Sequence, residues 1–206
     1  MSNAPQTPAP AGGPQTPGIR TPLPKAHSVQ EDGSPDTWTP PNGYRAQVAP
    51  DGATRLVIST TAEQLPAAHL RLLAVLGDKL SIRYVQLTDR AVGQLPKALS
   101  WVGMALPAAT VIDALHAARR LVWEDGRHQL WIRGEAHGEQ VVLDELGVLY
   151  TYPDDLAFRD ALDALGLPVA NDVGMDGRDY VKVQFLAEAD AEEAQLIRGL
   201  NLRQVG

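Results

Sequence analysis

Short apolar runs alternate with turn residues in the middle of the chain, and this pattern predicts a β-meander. Apolar, β-branched and aromatic residues separated by Asp-Gly and Gly turns are typical of antiparallel strands with tight connections. Apolar residues at helical spacing then predict a helix over residues 154–165, with an Asp cap before it and Gly166 after it. The predicted strands of the meander cover residues 121–124, 128–133, 141–143 and 148–152.

On the N-terminal side of the meander, the pattern predicts a strand, a helix and a second strand. Residues 54–60 and 80–87 have the β-branched and apolar composition of strands. Between them, apolar residues recur at helical spacing until Gly77. If the two strands are neighbours in the sheet, a right-handed crossover should make them parallel.

Two further amphipathic patterns before the meander predict two helices. Both have apolar stripes that require burial. The second helix is predicted over residues 111–121, and Pro107 closes the first. The apolar stripe of the first helix consists of Val92, Leu95, Leu99, Val102 and Leu106.

The C-terminal part predicts one more strand and one more helix. Alternation over residues 179–185 predicts a strand with Val181, Val183 and Phe185 on its buried side. A terminal helix is predicted over residues 188–200. Together the elements predict an α+β fold, in which helices cover a mixed, mainly antiparallel sheet of about six or seven strands.

Residues 1–44 differ in composition from the rest of the chain. Ten of the 16 prolines lie there, among Gly, Thr, Gln and Ala, with few large apolar residues. Proline removes backbone donors, and so little apolar burial cannot offset the entropy lost on ordering. We predict a disordered Pro-rich arm over residues 1–44 and a single domain over residues 45–206, with a subdivision near Pro107 as the alternative.

Composition and charge restrict the possible functions. A net charge of −7 argues against a general attraction to nucleic acid or to anionic membranes. The absence of cysteine excludes thiol nucleophiles, disulfides and Cys-ligated metals, and it is compatible with a reducing cytoplasm. No apolar run reaches the roughly 18 residues of a membrane-spanning helix. We therefore predict a cytoplasmic protein without a membrane partner.

The sequence contains no strong catalytic motif. It lacks a phosphate-binding loop, a dinucleotide-binding glycine pattern, a nucleophile elbow and a His-Glu-x-x-His zinc motif. We accordingly predict no catalytic residue, metal ligand or cofactor. The alternative is a metal- or carboxylate-dependent enzyme with His128, Glu124 and Asp144 near one cleft, because a hairpin at Asp125-Gly126 would place His128 opposite Glu124.

Aromatic residues in the meander provide the first candidate binding surface. Trp123 and Trp131 flank the predicted Asp-Gly turn, and Tyr150 lies on a later strand. On one sheet face they would form a platform that could receive a partner protein or stack nucleic-acid bases. Only Arg127 and Arg133 supply basic charge nearby in sequence, which weakens the nucleic-acid interpretation.

Acidic residues provide the second candidate surface. Asp144 and Glu145 occupy a predicted turn in an acidic stretch over residues 135–163, which could meet a basic partner. The sequence thus predicts a non-enzymatic interaction or regulatory protein with a protein partner, and a nucleic-acid-binding accessory protein is an alternative. The predicted binding residues are Trp123, Trp131, Arg133, Tyr150, Asp144 and Glu145.

Overall fold

A computed structural model describes residues 20–34, 36–175, 177–182 and 185–206. In these residues the chain forms an α+β fold with ten strands and five α-helices. The strands are Ala26–Ser28 (β1), Gly43–Val48 (β2), Thr54–Ser59 (β3), Lys79–Asp89 (β4), Gly93–Pro107 (β5), His128–Gly134 (β6), Gln140–Leu143 (β7), Leu149–Tyr152 (β8), Tyr180–Lys182 (β9) and Arg203–Val205 (β10). The helices are Leu65–Leu73 (α1), Ala108–Ala117 (α2), Arg119–Glu124 (α3), Leu156–Asp163 (α4) and Ala187–Gly199 (α5).

Eight of the strands form one sheet in the order β10-β5-β4-β6-β7-β8-β3-β2. Neighbouring strands in this sheet are antiparallel throughout. The predicted α+β class, with helices over a mainly antiparallel sheet, is therefore confirmed. The remaining strands, β1 and β9, pair with each other in a small separate sheet.

The main core lies between one face of the sheet and the helices. Alternate strand residues such as Leu56, Ile82 and Leu130 point to this side, because side chains in a strand alternate between its two faces. The buried apolar side chains of all five helices belong to the same cluster. The helices therefore cover one face of the sheet, and the opposite face carries its own set of side chains.

The predicted helix around Val92–Leu106 is wrong, since residues 93–107 form strand β5. This strand is paired with β4 on one side and with β10 on the other. Irregular register between β4 and β5 changes which residues face the core, so a strict alternation never appears in the sequence. Pairing with two neighbours supplies the backbone hydrogen bonds and overrides the apparent helical period.

The first predicted meander strand is also wrong. Residues 121–124 belong to helix α3, and Leu121, Val122 and Trp123 are all buried in the core. A short apolar run has the same composition in a buried strand and in a buried helix, so periodicity alone cannot separate them. The other three strands of the meander are confirmed as β6, β7 and β8, and α4 and α5 confirm the two predicted helices that follow.

The first predicted strands, β3 and β4, are not neighbours. Strands β6, β7 and β8 lie between them in the sheet, so the condition for a parallel pair is not met. The edge strands β2 and β10 were not predicted. They gain their stability from pairing with β3 and β5, which local sequence does not reveal.

The predicted buried side of the strand over residues 179–185 is wrong where it can be assessed. Strand β9 contains only three residues, and Val181 is 51% exposed. Phe185 is also exposed, and Val183 lies outside the described residues. The reason is that β9 pairs with β1, away from the main sheet and its core.

Part of the predicted arm is packed on the domain. Residues 1–19 lie outside the described residues, so the structure does not address their predicted disorder. In contrast, β1 pairs with β9, the side chain of Lys25 is buried, and Tyr44 on the edge strand β2 belongs to the core cluster. Long-range pairing thus orders a segment whose local composition is typical of disorder.

None of the helices in the described ranges combines the length and the apolar character that crossing a lipid bilayer requires.

Candidate functional site

Strand register aligns a row of side chains across the face of the sheet that the helices leave uncovered. Residues directly opposite each other in antiparallel strands point to the same face, so the row can be followed from strand to strand. We call this face the outer face. In order across the sheet, the row consists of Arg203, Val102, Arg83, Trp131, Val142 and Tyr150.

Trp131 lies near the centre of the outer face. It is 39% exposed, and its indole Nε1 donates a hydrogen bond to Gln129 Oε1 at 3.1 Å. Arg133, two residues further along β6, points to the same side and is exposed. Two of the predicted binding residues therefore lie together on an accessible surface.

Arginines that are distant in sequence join these two residues. Arg83 lies directly opposite Trp131 on β4, and its Nη2 donates to Ser100 Oγ at 3.1 Å. Arg203 lies on the edge strand, opposite Val102. The sequence did not indicate either arginine, because only strand register places Arg83 opposite Trp131 and Arg203 in the same row.

Tyr150 also lies on the outer face, but its ring is already paired. The guanidinium carbon of Arg55 lies 4.5 Å from the ring centroid of Tyr150 and 5.8 Å from that of Tyr152. Arg55 Nη1 also donates to the Tyr152 hydroxyl at 2.7 Å. These contacts form a cation–π cluster beside the row, so Arg55 occupies part of the aromatic surface that the sequence predicted.

Trp123 does not belong to this surface. It lies on α3, is only 4% exposed, and donates from Nε1 to Nδ1 of His69 at 3.1 Å. The predicted arrangement of Trp123 and Trp131 on either side of a hairpin turn is therefore wrong, because the chain before Asp125 is helical.

Asp144 and Glu145 are engaged within the chain. Asp144 accepts hydrogen bonds from the backbone N–H groups of Leu146 and Val148 at 2.9 and 2.8 Å, and from the Tyr150 hydroxyl at 3.2 Å. Burial raises the pKa of Asp144 to about 6. Glu145 accepts from Gln129 Nε2 at 2.7 Å. These partners explain both carboxylates as structural groups.

Asp125 and Arg127 form a buried ion pair that attaches helix α5 to the sheet. Arg127 donates from Nε to Asp125 Oδ1 at 2.9 Å and from Nη1 to Asp190 Oδ1 at 2.7 Å. The other oxygen of Asp125 accepts from the backbone N–H of Leu186 at 2.7 Å, directly before α5. Arg127 is therefore part of the interior and does not supply the basic surface charge expected from the sequence.

A fully buried histidine pair lies near the buried Lys25. Burial, together with the nearby Lys25 charge, lowers the pKa of His69 to about 3. Burial likewise holds the pKa of His128 well below its usual range, with Lys25, Arg127 and His69 adding to the effect. Burial also lowers the pKa of Lys25 to about 8, and its Nζ donates to the Val122 carbonyl at 3.2 Å.

Acidification is expected to destabilise the protein through these histidines. Below about pH 6.5 the unfolded state binds protons that His69 and His128 cannot bind in the fold, which costs about 1.4 kcal/mol per pH unit for each. Asp144 acts in the opposite direction below its pKa of about 6, because the folded state binds its proton first. The net result is a free energy of unfolding that falls as the pH is lowered, as urea titrations at several pH values would measure.

The matched variant for this experiment is His128→Phe, because the imidazole of His128 stacks on Tyr84 at 5.0 Å between centroids. The phenyl ring can keep that stacking contact but cannot bind a proton. We expect the slope of stability against pH to become shallower by about 1.4 kcal/mol per pH unit. An unchanged slope would contradict the assignment of the acid sensitivity to His128.

The residues of the predicted enzyme site are not hydrogen-bonded to one another in the described part of the chain. Glu124 ends α3, where it accepts from the backbone N–H of Leu23 and pairs with Arg20 at 3.5 Å. His128 is buried at the start of β6, and Asp144 has the turn contacts given above. Among the described residues, no group of three or more His, Asp or Glu side chains is arranged to hold a metal ion.

A cavity of about 300 Å³ lies between the described part of the arm and the domain. Its walls are mainly proline and other apolar side chains, with the buried Lys25 among them. The lining residues include Pro22, Pro24, Trp38, Leu65, Val148 and Met175. The cavity is separate from the row on the outer face and contains none of the predicted binding residues.

Comparison with protein-family models, with curated proteins and with solved structures finds no match for this chain.

Proposed function

We propose that this chain is a non-enzymatic binding protein that recognises another protein through the outer face of its sheet. The observation that carries the proposal is the exposed Trp131 near the centre of that face, flanked by Arg83 and Arg133. Tryptophan and arginine are enriched among the residues that dominate binding energy in protein interfaces. A cytoplasmic location is part of the proposal, because the chain contains no cysteine.

Exposed apolar side chains extend this surface beyond Trp131. Met104 is 68% exposed, and its sulfur accepts a hydrogen bond from Ser81, which lies opposite Arg133. Val205 lies two residues from Arg203 on the same edge strand and is also exposed. Aromatic residues, Met and Arg are enriched in interfaces relative to other surfaces, whereas Lys and Glu are depleted.

The dimensions of the row also suit a protein partner. Neighbouring strands lie about 4.8 Å apart, so the row from Arg203 on β10 to Trp131 on β6 spans about 14 Å, and Val142 beyond it is buried. A helix with its side chains is about 10–12 Å in diameter, so a helix or a strand pair of a partner can lie across the row. The small cluster of Val57, Val148, Val173 and Met175 covers the outer side of β3 and limits the surface at that end.

A nucleic-acid-binding function is the second candidate, since the structure supplies more basic charge than the sequence indicated. Arg83 and Arg203 join Arg133 on the outer face, and Trp131 offers one stacking surface. Both candidates use the same face, and they differ in the chemistry of the partner.

Photocrosslinking in cells that naturally express the protein tests the proposed function. A benzoylphenylalanine at Gln140, which lies on the outer face opposite Arg133, should give a discrete covalent adduct with another protein. We expect Trp131→Ala to reduce that adduct at least about tenfold, because the loss of an interface hot spot costs about 2 kcal/mol or more.

The control places the same photoreactive residue at Arg71, an exposed position on α1 on the helical side of the molecule. It should not give the adduct. If Gln140 gives no protein adduct, or if Trp131→Ala leaves the adduct unchanged, the outer face is not the binding surface.

A further inference from the structure

We infer that the protein partner is acidic where it meets the outer face, and that its carboxylates pair with Arg83, Arg133 and Arg203. This inference rests on the proposed function and adds the chemistry of the partner.

Two of the three arginines lie close to Trp131, and Arg203 lies in the same row three strand spacings away. Arg83 is directly opposite Trp131, and Arg133 is diagonal to Arg83 because it pairs with Ser81. Diagonal positions on neighbouring strands lie about 7–8 Å apart. Arg203 is separated from Arg83 only by the strand that carries Val102.

The ion pairs of the described residues do not include these arginines. Within the described residues, none of the three forms an ion pair with a carboxylate, although the chain has a net charge of −7. Arginines elsewhere, such as Arg90 and Arg159, lie within 2.7 Å of an aspartate oxygen. The outer face of this acidic protein therefore carries three arginines that form no ion pair within the described residues.

Two carboxylates near this surface accept hydrogen bonds from neutral hydroxyl groups, and among the described residues neither forms an ion pair with the three arginines. Glu135 accepts a hydrogen bond from the Ser81 hydroxyl, and Asp144 is held by its turn and by Tyr150. Like charges close together on a sheet face destabilise the fold slightly. Carboxylates of a partner would relieve this repulsion, and the planar guanidinium group can bind a carboxylate through two parallel hydrogen bonds.

Two features favour an acidic protein over single-stranded nucleic acid. Binding of single strands uses successive aromatic rings on which consecutive bases stack, but Arg55 lies against the rings of Tyr150 and Tyr152. Within the row, this leaves Trp131 as the aromatic ring on which a base could stack. In addition, the net charge of −7 repels a long polyphosphate beyond the outer face, whereas a short acidic segment contacts only the arginines.

Nuclear magnetic resonance titration of the full chain tests the inference with three defined probes. These are oligo-glutamate, oligothymidylate of equal length, and oligo-glutamine as the neutral control. We expect oligo-glutamate to shift the amide signals of β4, β6 and β10, and added salt to reverse the shift. Oligo-glutamine should leave these signals unchanged.

Two triple variants with the same net charge separate local from general electrostatics. In one, the three outer-face arginines Arg83, Arg133 and Arg203 are replaced by Gln. In the other, the exposed helical arginines Arg71, Arg119 and Arg198 are replaced by Gln. We expect the outer-face variant to bind oligo-glutamate at least about tenfold more weakly, and the helical variant to bind it like the original protein.

Each other outcome overturns the inference. Tighter binding of oligothymidylate would identify a nucleic-acid surface, and equal losses in the two variants would indicate a general charge effect. If oligo-glutamate causes no shift on the outer face, the partner is not acidic. The photocrosslinking result at Gln140 is independent, so a protein partner of different chemistry would remain distinguishable from the absence of a partner.

Discussion

Replacing Asp125 by alanine is expected to lower the free energy of unfolding by about 3–5 kcal/mol, because the change leaves the buried Arg127 guanidinium without its main counter-ion. Both side chains are buried, and the Asp125 carboxylate accepts two hydrogen bonds from the Arg127 guanidinium, at 2.9 and 3.0 Å. The same carboxylate holds the backbone N–H of Leu186, so helix α5 should also loosen. Urea unfolding followed by circular dichroism measures this loss.

The control for Asp125 is another aspartate that pairs with the same arginine. Asp190 is 43% exposed in its side chain and contacts Arg127 Nη1 at 2.7 Å. Asp190→Ala should cost about 1 kcal/mol or less, since solvent screens the exposed carboxylate. If the two variants Asp125→Ala and Asp190→Ala lost equal free energy of unfolding, burial would not explain the larger contribution expected from the Asp125–Arg127 pair.

The two tryptophans of the predicted platform are expected to respond in opposite ways to substitution by alanine. Trp123→Ala should lower the free energy of unfolding by about 3–5 kcal/mol, because it leaves a cavity in the core and removes the hydrogen bond to His69. Trp131→Ala should change it by about 1 kcal/mol or less, since Trp131 is a partly exposed residue on the outer face.

The same pair of variants separates stability from binding. Trp131→Ala should keep the folded spectrum and lose the adduct formed from Gln140. Stability should be compared by chemical denaturation of both variants under identical conditions. A large loss of stability for Trp131→Ala, with a small one for Trp123→Ala, would show that the places assigned to the two residues are incorrect.

The local sequence pattern was sufficient to predict the strands and helices whose signals lie within a few neighbouring residues. The meander strands β6, β7 and β8 follow from short apolar runs with turn residues between them. Helix α4 follows from its apolar stripe and its cap, since Asp155 accepts the hydrogen bond from the Ala157 N–H as the sequence indicated. Caps and turns act over three or four residues, so the sequence contains their complete physical cause.

Contacts with residues distant in the chain determined the structure of the segments that the sequence pattern predicted incorrectly. Residues 93–107 have a helix-like apolar spacing, yet two neighbouring strands hold them in β5. Residues 121–124 have the composition of a strand, yet all three apolar side chains at 121–123 are buried in the core when the segment is helical. In both cases, contacts with residues distant in the chain supply the free energy that stabilises the observed structure. The local preference for helix or strand is too weak to override these contacts.

The sequence likewise predicted only some of the residues of the candidate surface. Sequence alone identified Trp131 and Arg133, because an aromatic residue and a cation two positions apart on a strand must share a face. It could not associate Arg83 or Arg203 with them, because strand register sets those neighbours. It also could not separate the exposed Trp131 from the buried Trp123, since exposure depends on which layer of the fold covers each side chain. Composition thus determined the chemical groups available to this protein, and tertiary packing decided which of them meet on its surface.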